Sequence, residues 1–188
     1  GHPRPDETNV PARPNILLLG LRASGKSTVG RLLASRLSLE FIDLDDLTAA
    51  ELGTATAGAA LASHGEPRFR AAEAVALGRA LEGTGQIIAL GGGTPTGSEA
   101  RELIERSRAA GTVLTVYLET TPTTLQSRLA ADATLRPSLT GRGTVEEVAY
   151  LHAVRDPIYR VLADHIVDAS IESPEALAER ISALALMP

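Results

Sequence analysis

The 188-residue sequence contains no cysteine, and this absence excludes disulfide bonds and metal sites with cysteine ligands. It also contains no tryptophan, and aromatic residues make up only 3% of the chain, so single-stranded nucleic acid would find no row of rings on which to stack. The formal net charge of −5 provides no basic surface for a phosphate backbone. We therefore expect no nucleic-acid partner.

Long hydrophobic runs are absent as well. No apolar stretch approaches the ~20 residues that a membrane-spanning helix requires, and no secretory signal is visible. The lack of cysteine fits a reducing compartment. These observations predict a cytoplasmic protein without a membrane partner, and we expect it to be a monomer.

Lysine is almost absent, because the 18 lysine and arginine residues include one lysine, Lys26. Lys26 lies in the segment Gly20–Ser27, which reads GLRASGKS and matches the pattern G-x-x-x-x-G-K-[ST] of a phosphate-binding P-loop. The apolar run Ile16–Leu19 precedes this segment and a helical pattern follows it, as the motif requires. A lone lysine in an arginine-rich chain indicates that this position needs a compact ammonium, because a planar guanidinium is not equivalent to it.

The residue types of the P-loop each have a chemical reason. Gly20 and Gly25 allow backbone angles and close approach that a Cβ would prevent. The N–H groups of the loop and of the following helix point at a polyphosphate. Lys26 places its charge on the β- and γ-phosphates, and the Ser27 hydroxyl can bind Mg²⁺. The predicted ATP-binding residues of this segment are Gly20, Ala23, Ser24, Gly25, Lys26, Ser27 and Thr28.

Five short apolar runs are separated by helical patterns along the chain. The runs are Ile16–Leu19, Leu39–Ile42, Ile87–Leu90, Thr112–Leu118 and His165–Val167. This alternation favours an α/β fold, in which helices cover both faces of a parallel sheet. We expect one domain over residues 15–188. Residues 1–14 carry four prolines and are expected to form a disordered tail or linker, with Gly1-His2 interpreted as an expression scar and an earlier domain left open.

Helical spacing of apolar residues predicts where the helices lie, with less precise ends than the apolar runs give for the strands. It predicts helices over Ala71–Leu81, Ser98–Ala109 with Ser98 as N-cap, Thr121–Ala131, Val145–Ala163 with a break at Pro157, and Pro174–Leu186 with Ser173 as N-cap. The segment Thr48–Ser63 reads as weak helix. Residues 132–143 have little apolar periodicity between two helical patterns, so we expect them to form a lid loop over a site.

Two aspartates follow the second apolar run, where ligands of an open α/β sheet bind. Asp43 and Asp45 would share one side if the strand continued. A P-loop enzyme needs a carboxylate near its Mg²⁺, and the third run ends in glycine, so Asp43 is assigned to the metal, directly or through water. Asp45 then faces the acceptor and could take its hydroxyl proton. A helix N-cap is the alternative for this acidic cluster, and Asp46 is assigned to that role alone.

Charged and glycine-rich positions later in the chain are ambiguous when taken singly. Arg70 and Glu73 are i,i+3 neighbours, which suits either an oriented arginine that grips a carboxylate or a surface ion pair. The triplet Gly91–Gly93 follows a buried apolar run and would admit a ligand against bare backbone, with a simple turn as the alternative. Arg136 lies in the expected lid, Arg128 ends the helix before it, and Arg155 lies in the last long helical region. Each is more typical of a solvated cation when considered alone.

The segments GLRASGKSTVGRLLA, FIDLDD, GEPRFRAAE, IIALGGG, LRPSLTG and VRDPIY, in this order, resemble shikimate kinase over about Ile16 to Ile181. The resemblance implies a three-layer P-loop kinase fold of the nucleoside-monophosphate-kinase type, with a five-stranded parallel sheet and a lid loop. It also implies transfer of the γ-phosphate of ATP to the 3-hydroxyl of shikimate, with Mg²⁺.

Residue roles are implied by position. Asp45 binds the hydroxyls of shikimate and is the base, Arg70 and Arg155 bind its carboxylate, Glu73 orients Arg70, and Gly91, Gly92 and Gly93 line the pocket. Arg136 reaches the phosphates from the lid, and Arg128 lies against the adenine. The implied catalytic residues are Lys26, Asp45 and Arg136, and the implied metal ligands are Ser27 and Asp43.

Two other functions fit parts of this pattern. A gluconate-kinase-like enzyme would share the P-loop but gives less reason for Asp45, Arg70 and Arg155 to occur together. A non-catalytic, shikimate-kinase-like sensor domain of a regulator need not keep the phosphate lysine and both aspartates. No DNA-binding helix pair is present in the sequence.

Overall fold

The computed structural model describes residues 13–131 and 144–187. Most of the predicted tail, and the whole predicted lid with Arg136, lie outside the described residues. The strands are β1 Asn15–Leu19, β2 Glu40–Asp43, β3 Gln86–Ala89, β4 Val113–Glu119 and β5 His165–Asp168. The helices are α1 Lys26–Leu37, α2 Leu44–Glu51, α3 Ala57–His64, α4 Glu66–Ala80, α5 Ser98–Ala109, α6 Pro122–Ala131, α7 Thr144–Leu162 and α8 Pro174–Ala185.

The five strands form one parallel sheet in the order β2-β3-β1-β4-β5. This confirms the predicted α/β architecture. Every residue of β1 is buried, since the strand lies in the middle of the sheet with helices on both faces. Because β1, β3 and β2 are neighbours, the segments that follow them meet at one edge of the sheet, and these segments contain the P-loop, Gly91–Gly93 and the two aspartates.

The core divides between the two faces of the sheet. Alternate residues of β1 point to opposite sides, so Leu17 and Leu19 join a cluster with residues of α2, α4, α5 and α7. Ile16 and Leu18 join the opposite cluster, which contains residues of α1 and α8. Helices α2, α4 and α7, which contain Asp45, Arg70 and Arg155, therefore lie on the same face of the sheet.

Several helix predictions needed correction. Helix α4 begins at Glu66, five residues before the predicted start, because Pro67 suits the first turn. The weak helical segment is two helices, α2 and α3, separated by a turn in which Gly53 has φ 68°. Ser98 is the first residue of α5, and the N-cap is Gly97, which provides no side-chain hydrogen bond.

Pro157 does not break α7, although a proline removes one helical N–H donor. The helix continues through it because Arg155 before the proline and Tyr159 and Leu162 after it are buried by the rest of the domain. Ser173 does cap α8, as predicted, by accepting a hydrogen bond from the N–H of Ala176. In the described parts of the chain, no helix is both long enough and apolar enough to cross a membrane.

Candidate active site

The P-loop joins the end of β1 to the start of α1. Gly25 is the N-cap of α1 with φ 98°, a left-handed conformation that glycine adopts without strain. Gly25 has no side chain to cap the helix, so the first N–H groups of α1 face the loop and are suited to an anion. The hydroxyl of Ser24 is buried and has no hydrogen-bond partner among the described residues. The loop therefore offers polar hydrogen atoms where the sequence predicts a polyphosphate.

Lys26 folds back over this loop. Its Nζ donates to the carbonyl oxygen of Gly20 and, at 3.2 Å, to that of Leu21. Burial lowers the pKa of Lys26 to about 8, although the negative charge of Asp45 opposes this shift. The positive charge of Arg155 lowers the pKa further. Since Asp45 and Arg155 both act on Lys26, the phosphate lysine and the predicted acceptor residues lie in one electrostatic environment.

Asp43 ends β2 and caps α2. Its Oδ1 accepts a hydrogen bond from the N–H of Asp45 at 3.0 Å, so the strand geometry stops at Asp43 and does not continue to Asp45. The two carboxylates are placed by this strand-to-helix turn, and the predicted N-cap role of Asp46 belongs to Asp43. The hydroxyl of Ser27 lies 3.5 Å from Oδ2 of Asp43. Burial raises the pKa of Asp43, and the neighbouring charge of Asp45 adds to this shift.

Arg70 and Glu73 on α4 form a partly buried ion pair. Nη1 of Arg70 donates to Oε1 of Glu73 at 2.9 Å, and the Glu73 side chain is completely buried. The other carboxylate oxygen, Oε2, accepts a hydrogen bond from the hydroxyl of Thr94 at 2.9 Å. Burial raises the pKa of Glu73, whereas Arg70 and Thr94 lower it. This pair is not the ordinary surface ion pair that the spacing also allowed.

The triplet Gly91–Gly93 lies between these groups. A Cβ on Gly91 would be 2.8 Å from Oδ1 of Asp45, and a Cβ on Gly93 would be 2.6 Å from Cζ of Arg70. A Cβ on Gly92 would be 3.3 Å from Nη1 of Arg155. None of the three has a positive φ, so glycine is required here for close approach. One backbone segment therefore touches the three side chains that the sequence assigns to the acceptor.

Helix α7 brings Arg155 and Tyr159 to the same place. Arg155 is only 8% exposed, and it lies close enough to Tyr159 to interact electrostatically with its hydroxyl. The Tyr159 hydroxyl donates to the carbonyl oxygen of Gly92, and its ring packs against Tyr117 with centroids 5.0 Å apart. Burial raises the pKa of Tyr159, so its hydroxyl stays protonated as a donor. Sequence reasoning missed Tyr159 and Thr94. Tyr159 ends the segment VRDPIY, in which only Arg155 was given a role, and a single threonine carries no motif.

Arg128 at the end of α6 spans two loops. Its Nη1 donates to the carbonyl oxygen of Ala23 at 3.0 Å, and its Nη2 donates to that of Ala169 at 2.8 Å. The guanidinium thus ties the P-loop to the segment that follows β5. The predicted contact of Arg128 with adenine stays a prediction, as does the role of Arg136 beyond the described residues.

The edge of the sheet thus combines an anion-binding loop, two neighbouring carboxylates, a buried arginine (Arg155) and a half-buried one (Arg70). A family model described as shikimate kinase matches residues 22–185 of this chain. A shikimate kinase 2 from Syntrophotalea carbinolica is 41% identical over 164 residues, which are 86% of this chain and 91% of the relative. The chain belongs to the shikimate kinase family.

A solved structure of shikimate kinase from Acinetobacter baumannii in complex with shikimate has the same fold. Its TM-score to this chain is 0.81 with 32% identity, and the match covers 92% of this chain and 93% of the other. A gluconokinase from Sinorhizobium meliloti has a TM-score of 0.62 and 19% identity, with 92% and 95% of the two chains covered, which shows a shared fold alone. Shikimate kinases are enzymes that use ATP as co-substrate, so membership of this family favours neither the gluconate kinase nor the sensor.

Proposed function

We propose that this protein transfers the γ-phosphoryl group of ATP to the 3-hydroxyl of shikimate, with Mg²⁺, as a monomeric enzyme of the cytoplasm. The observation that carries the proposal is the convergence of Asp45, Arg70 and Arg155 on the triplet Gly91–Gly93, beside the P-loop. A hydroxylated carboxylate needs cations for its acid group and a hydrogen-bond acceptor for its hydroxyls. This arrangement supplies both within reach of a phosphate site.

The P-loop would hold the phosphates of ATP through the N–H groups that open α1. Lys26 would leave the carbonyl oxygens of Gly20 and Leu21 and place its ammonium on the β- and γ-phosphates. Arg136 would add a second cation from the lid, and Arg128 would border the base. These groups stabilise the charge that develops between the γ-phosphorus and its leaving oxygen.

The residues present fit Mg²⁺. The described residues contain no cluster of three or more His, Asp or Glu side chains that could hold a metal by themselves. Mg²⁺, however, keeps several waters and binds through one or two carboxylates together with substrate phosphates. Ser27 and Asp43 would hold it, directly or through water, since their oxygens are 3.5 Å apart. The chemistry it supplies when bound is neutralisation of charge on the β- and γ-phosphates.

The acceptor would bind across the glycine triplet. Arg70 and Arg155 would take its carboxylate, and Glu73 would keep Arg70 in place. Asp45 would accept the proton of the 3-hydroxyl as that oxygen bonds to the γ-phosphorus, while the bond to the β–γ bridging oxygen breaks. The transfer is direct, without a phosphorylated enzyme, and lid closure would exclude water that could otherwise hydrolyse ATP.

An ADP-release assay with ATP, Mg²⁺ and either shikimate or gluconate tests this function. We expect ADP release that depends on shikimate and a product heavier than shikimate by one phosphoryl group in mass spectrometry. Release with gluconate instead would identify the gluconate-kinase alternative. Binding of shikimate in calorimetry without any turnover would identify the sensor alternative.

A further inference from the structure

Thr94 occupies a position that the proposed mechanism does not use. It is the first residue of a short 3-10 helix, Thr94–Thr96, immediately after the glycine triplet, and it is completely buried. Its hydroxyl donates to Oε2 of Glu73 at 2.9 Å, while Oε1 of the same carboxylate accepts from Arg70. The Glu73 carboxylate is therefore held at both oxygens, by a hydroxyl on one side and a guanidinium on the other.

We propose that Thr94 is a positioning residue for the acceptor site: its hydroxyl fixes the Glu73 carboxylate, which fixes the Arg70 guanidinium where the carboxylate of the acceptor binds. This inference rests on the proposed function, because it assigns Arg70 to the acid group of shikimate. Thr94 acts through Glu73 and does not itself touch the acceptor.

The first argument is the competition for Arg70. Nε of Arg70 is buried and makes no hydrogen bond among the described residues, and it lies 3.7 Å from a carboxylate oxygen of Glu66. The Glu66 side chain is 69% exposed, whereas that of Glu73 is completely buried. If the Glu73 carboxylate rotated away, the Arg70 guanidinium would be free to move toward solvent and pair with Glu66. The Thr94 hydroxyl opposes this by restraining the second oxygen of Glu73.

The second argument is the cost of a buried carboxylate. A buried charge is stable only when its oxygens are hydrogen-bonded or paired. The charged or titratable groups that face Glu73 include Arg70 on α4, Asp45 on α2 and Tyr159 on α7. Asp45 repels the charge and Arg70 satisfies one oxygen, so the hydroxyl of Thr94 is the neutral donor for the other.

The backbone of Thr94 is fixed independently of Glu73. Its N–H donates to the carbonyl oxygen of Gly91 at 3.1 Å, and its own carbonyl oxygen accepts from Gly97 at 3.3 Å. Its Oγ1 would be 3.0 Å from a Cβ on Gly91, so the hydroxyl lies against bare backbone. A β-branched side chain on a fixed backbone has few rotamers. The hydroxyl is thus aimed at Glu73 before any ligand arrives.

The test compares Thr94→Val, which removes the hydroxyl at nearly constant shape, with Thr94→Ser, which retains it. For Thr94→Val we expect the KM for shikimate to rise about tenfold, because a hydrogen bond to a charged group is lost, while the KM for ATP stays within about twofold. Thr94→Ser should restore the KM for shikimate to within about twofold of wild type. In a Glu73→Gln background, Thr94→Val should have little further effect, since the two residues act in series.

Thr115→Val is the matched control for a merely structural role. Thr115 is also completely buried; its hydroxyl donates to the carbonyl oxygen of Leu162 at 2.6 Å and accepts from the N–H of Asp164 at 2.9 Å, away from the glycine triplet. We expect Thr115→Val to lower the melting temperature without changing the KM for shikimate. If Thr94→Val does not fold, Thr94→Ala replaces it in the comparison with Thr94→Ser.

The outcomes distinguish failure of the role assigned to Thr94 from failure of the proposed function on which that role rests. A wild-type enzyme that phosphorylates shikimate, with an unchanged KM in the hydroxyl-free variant, overturns the role of Thr94 alone. Equal losses in the valine and serine variants, or an equal rise in the KM for ATP, also overturn it. A wild-type enzyme without shikimate turnover overturns the proposed function and the inference together.

Discussion

The guanidinium of Arg70 lies against the backbone of Gly93, so closely that a Cβ at Gly93 would be 2.6 Å from Cζ of Arg70. The turn at Gly93 does not require glycine, because its φ of −95° is open to other residues. The absence of a Cβ at Gly93 leaves the space that the Arg70 guanidinium occupies. The three consecutive glycines are therefore explained by close contact with side chains that come from distant parts of the chain.

Replacement of Gly93 by alanine should displace Arg70 and weaken acceptor binding. Since a contact between charged groups contributes about 1.5–3 kcal/mol, we expect the KM for shikimate to rise by about tenfold or more, with a nearly unchanged KM for ATP. Steady-state kinetics with each substrate varied in turn provides the measurement.

Gly78→Ala is the control for that substitution. Gly78 lies inside α4, and a Cβ there would meet only Cδ1 of Leu103 at 3.8 Å. The alanine should raise the free energy of unfolding by about 0.5–1 kcal/mol, because glycine is a poor helix former, and should leave both KM values unchanged. Equal kinetic effects of the two substitutions would contradict the contact between Gly93 and Arg70 as the cause.

Replacement of Lys26 by alanine should abolish turnover while the fold survives. Loss of a group that stabilises developing phosphoryl charge costs at least about a hundredfold in kcat. Circular dichroism should match that of wild type, since the ammonium is bonded to loop carbonyl oxygens and not to the core. Substantial phosphorylation of shikimate by this variant would rule out the assigned role.

The charge of Lys26 can be followed directly, because a ¹³C-lysine label places one lysine signal in the whole chain. We expect this signal to titrate with a pKa of about 8 in the free enzyme, compared with 10.5 for an ordinary lysine. ATP should raise the value, since phosphates favour the ammonium. A free-enzyme pKa near 10.5 would contradict the burial of this group.

The same pKa has a consequence for stability. Between about pH 8 and pH 10.5 the unfolded chain holds the lysine proton more tightly than the folded one, so the contribution of Lys26 to stability rises with pH over this window. Below about pH 8 the folded protein bears the full cost of the buried ammonium. Denaturant unfolding of wild type and Lys26→Met across this range checks the sign.

Replacement of Asp45 by asparagine should preserve shape but remove the proton acceptor. General base catalysis contributes about 10²–10⁴-fold, so we expect kcat to fall by that range, while the KM for ATP changes little. Rapid-quench measurement of phosphoshikimate separates this step from product release. Near-normal kcat in the variant would show that Asp45 does not take the proton.

Much of the fold could be predicted from the sequence because its central strands, β1 and β3, are buried on both faces. A buried parallel strand appears as a continuous apolar run, and so β1 was predicted to within one residue at Asn15. The P-loop could be located because its chemistry permits few residue types at fixed spacing. Helix boundaries were less accurate: the start of α4 has a local signal in Pro67 that the prediction did not use, whereas the continuity of α7 through Pro157 depends on tertiary packing.

The candidate site could be predicted only where a motif marks it. The sequence indicated Arg70 and Glu73 as a pair, but not that Glu73 is completely buried. Thr94 is 21 residues from Glu73, and Tyr159 is 67 residues from Gly92, so neither contact has a local pattern. The roles assigned to the site residues stay predictions until the variants above are measured.

Helix α8 packs against α1, the helix that begins in the P-loop, on the same face of the sheet. Val29 and Leu33 of α1 share a buried cluster with Leu177 and Ile181 of α8. The ribosome synthesises α8 on the order of ten seconds after α1, at about 5–20 residues per second. Throughout that interval the nascent chain carries a finished P-loop motif on a helix that α8 does not yet cover. Nucleotide binding should therefore stabilise the folded state of the nascent polypeptide only after residues 174–185 have left the exit tunnel.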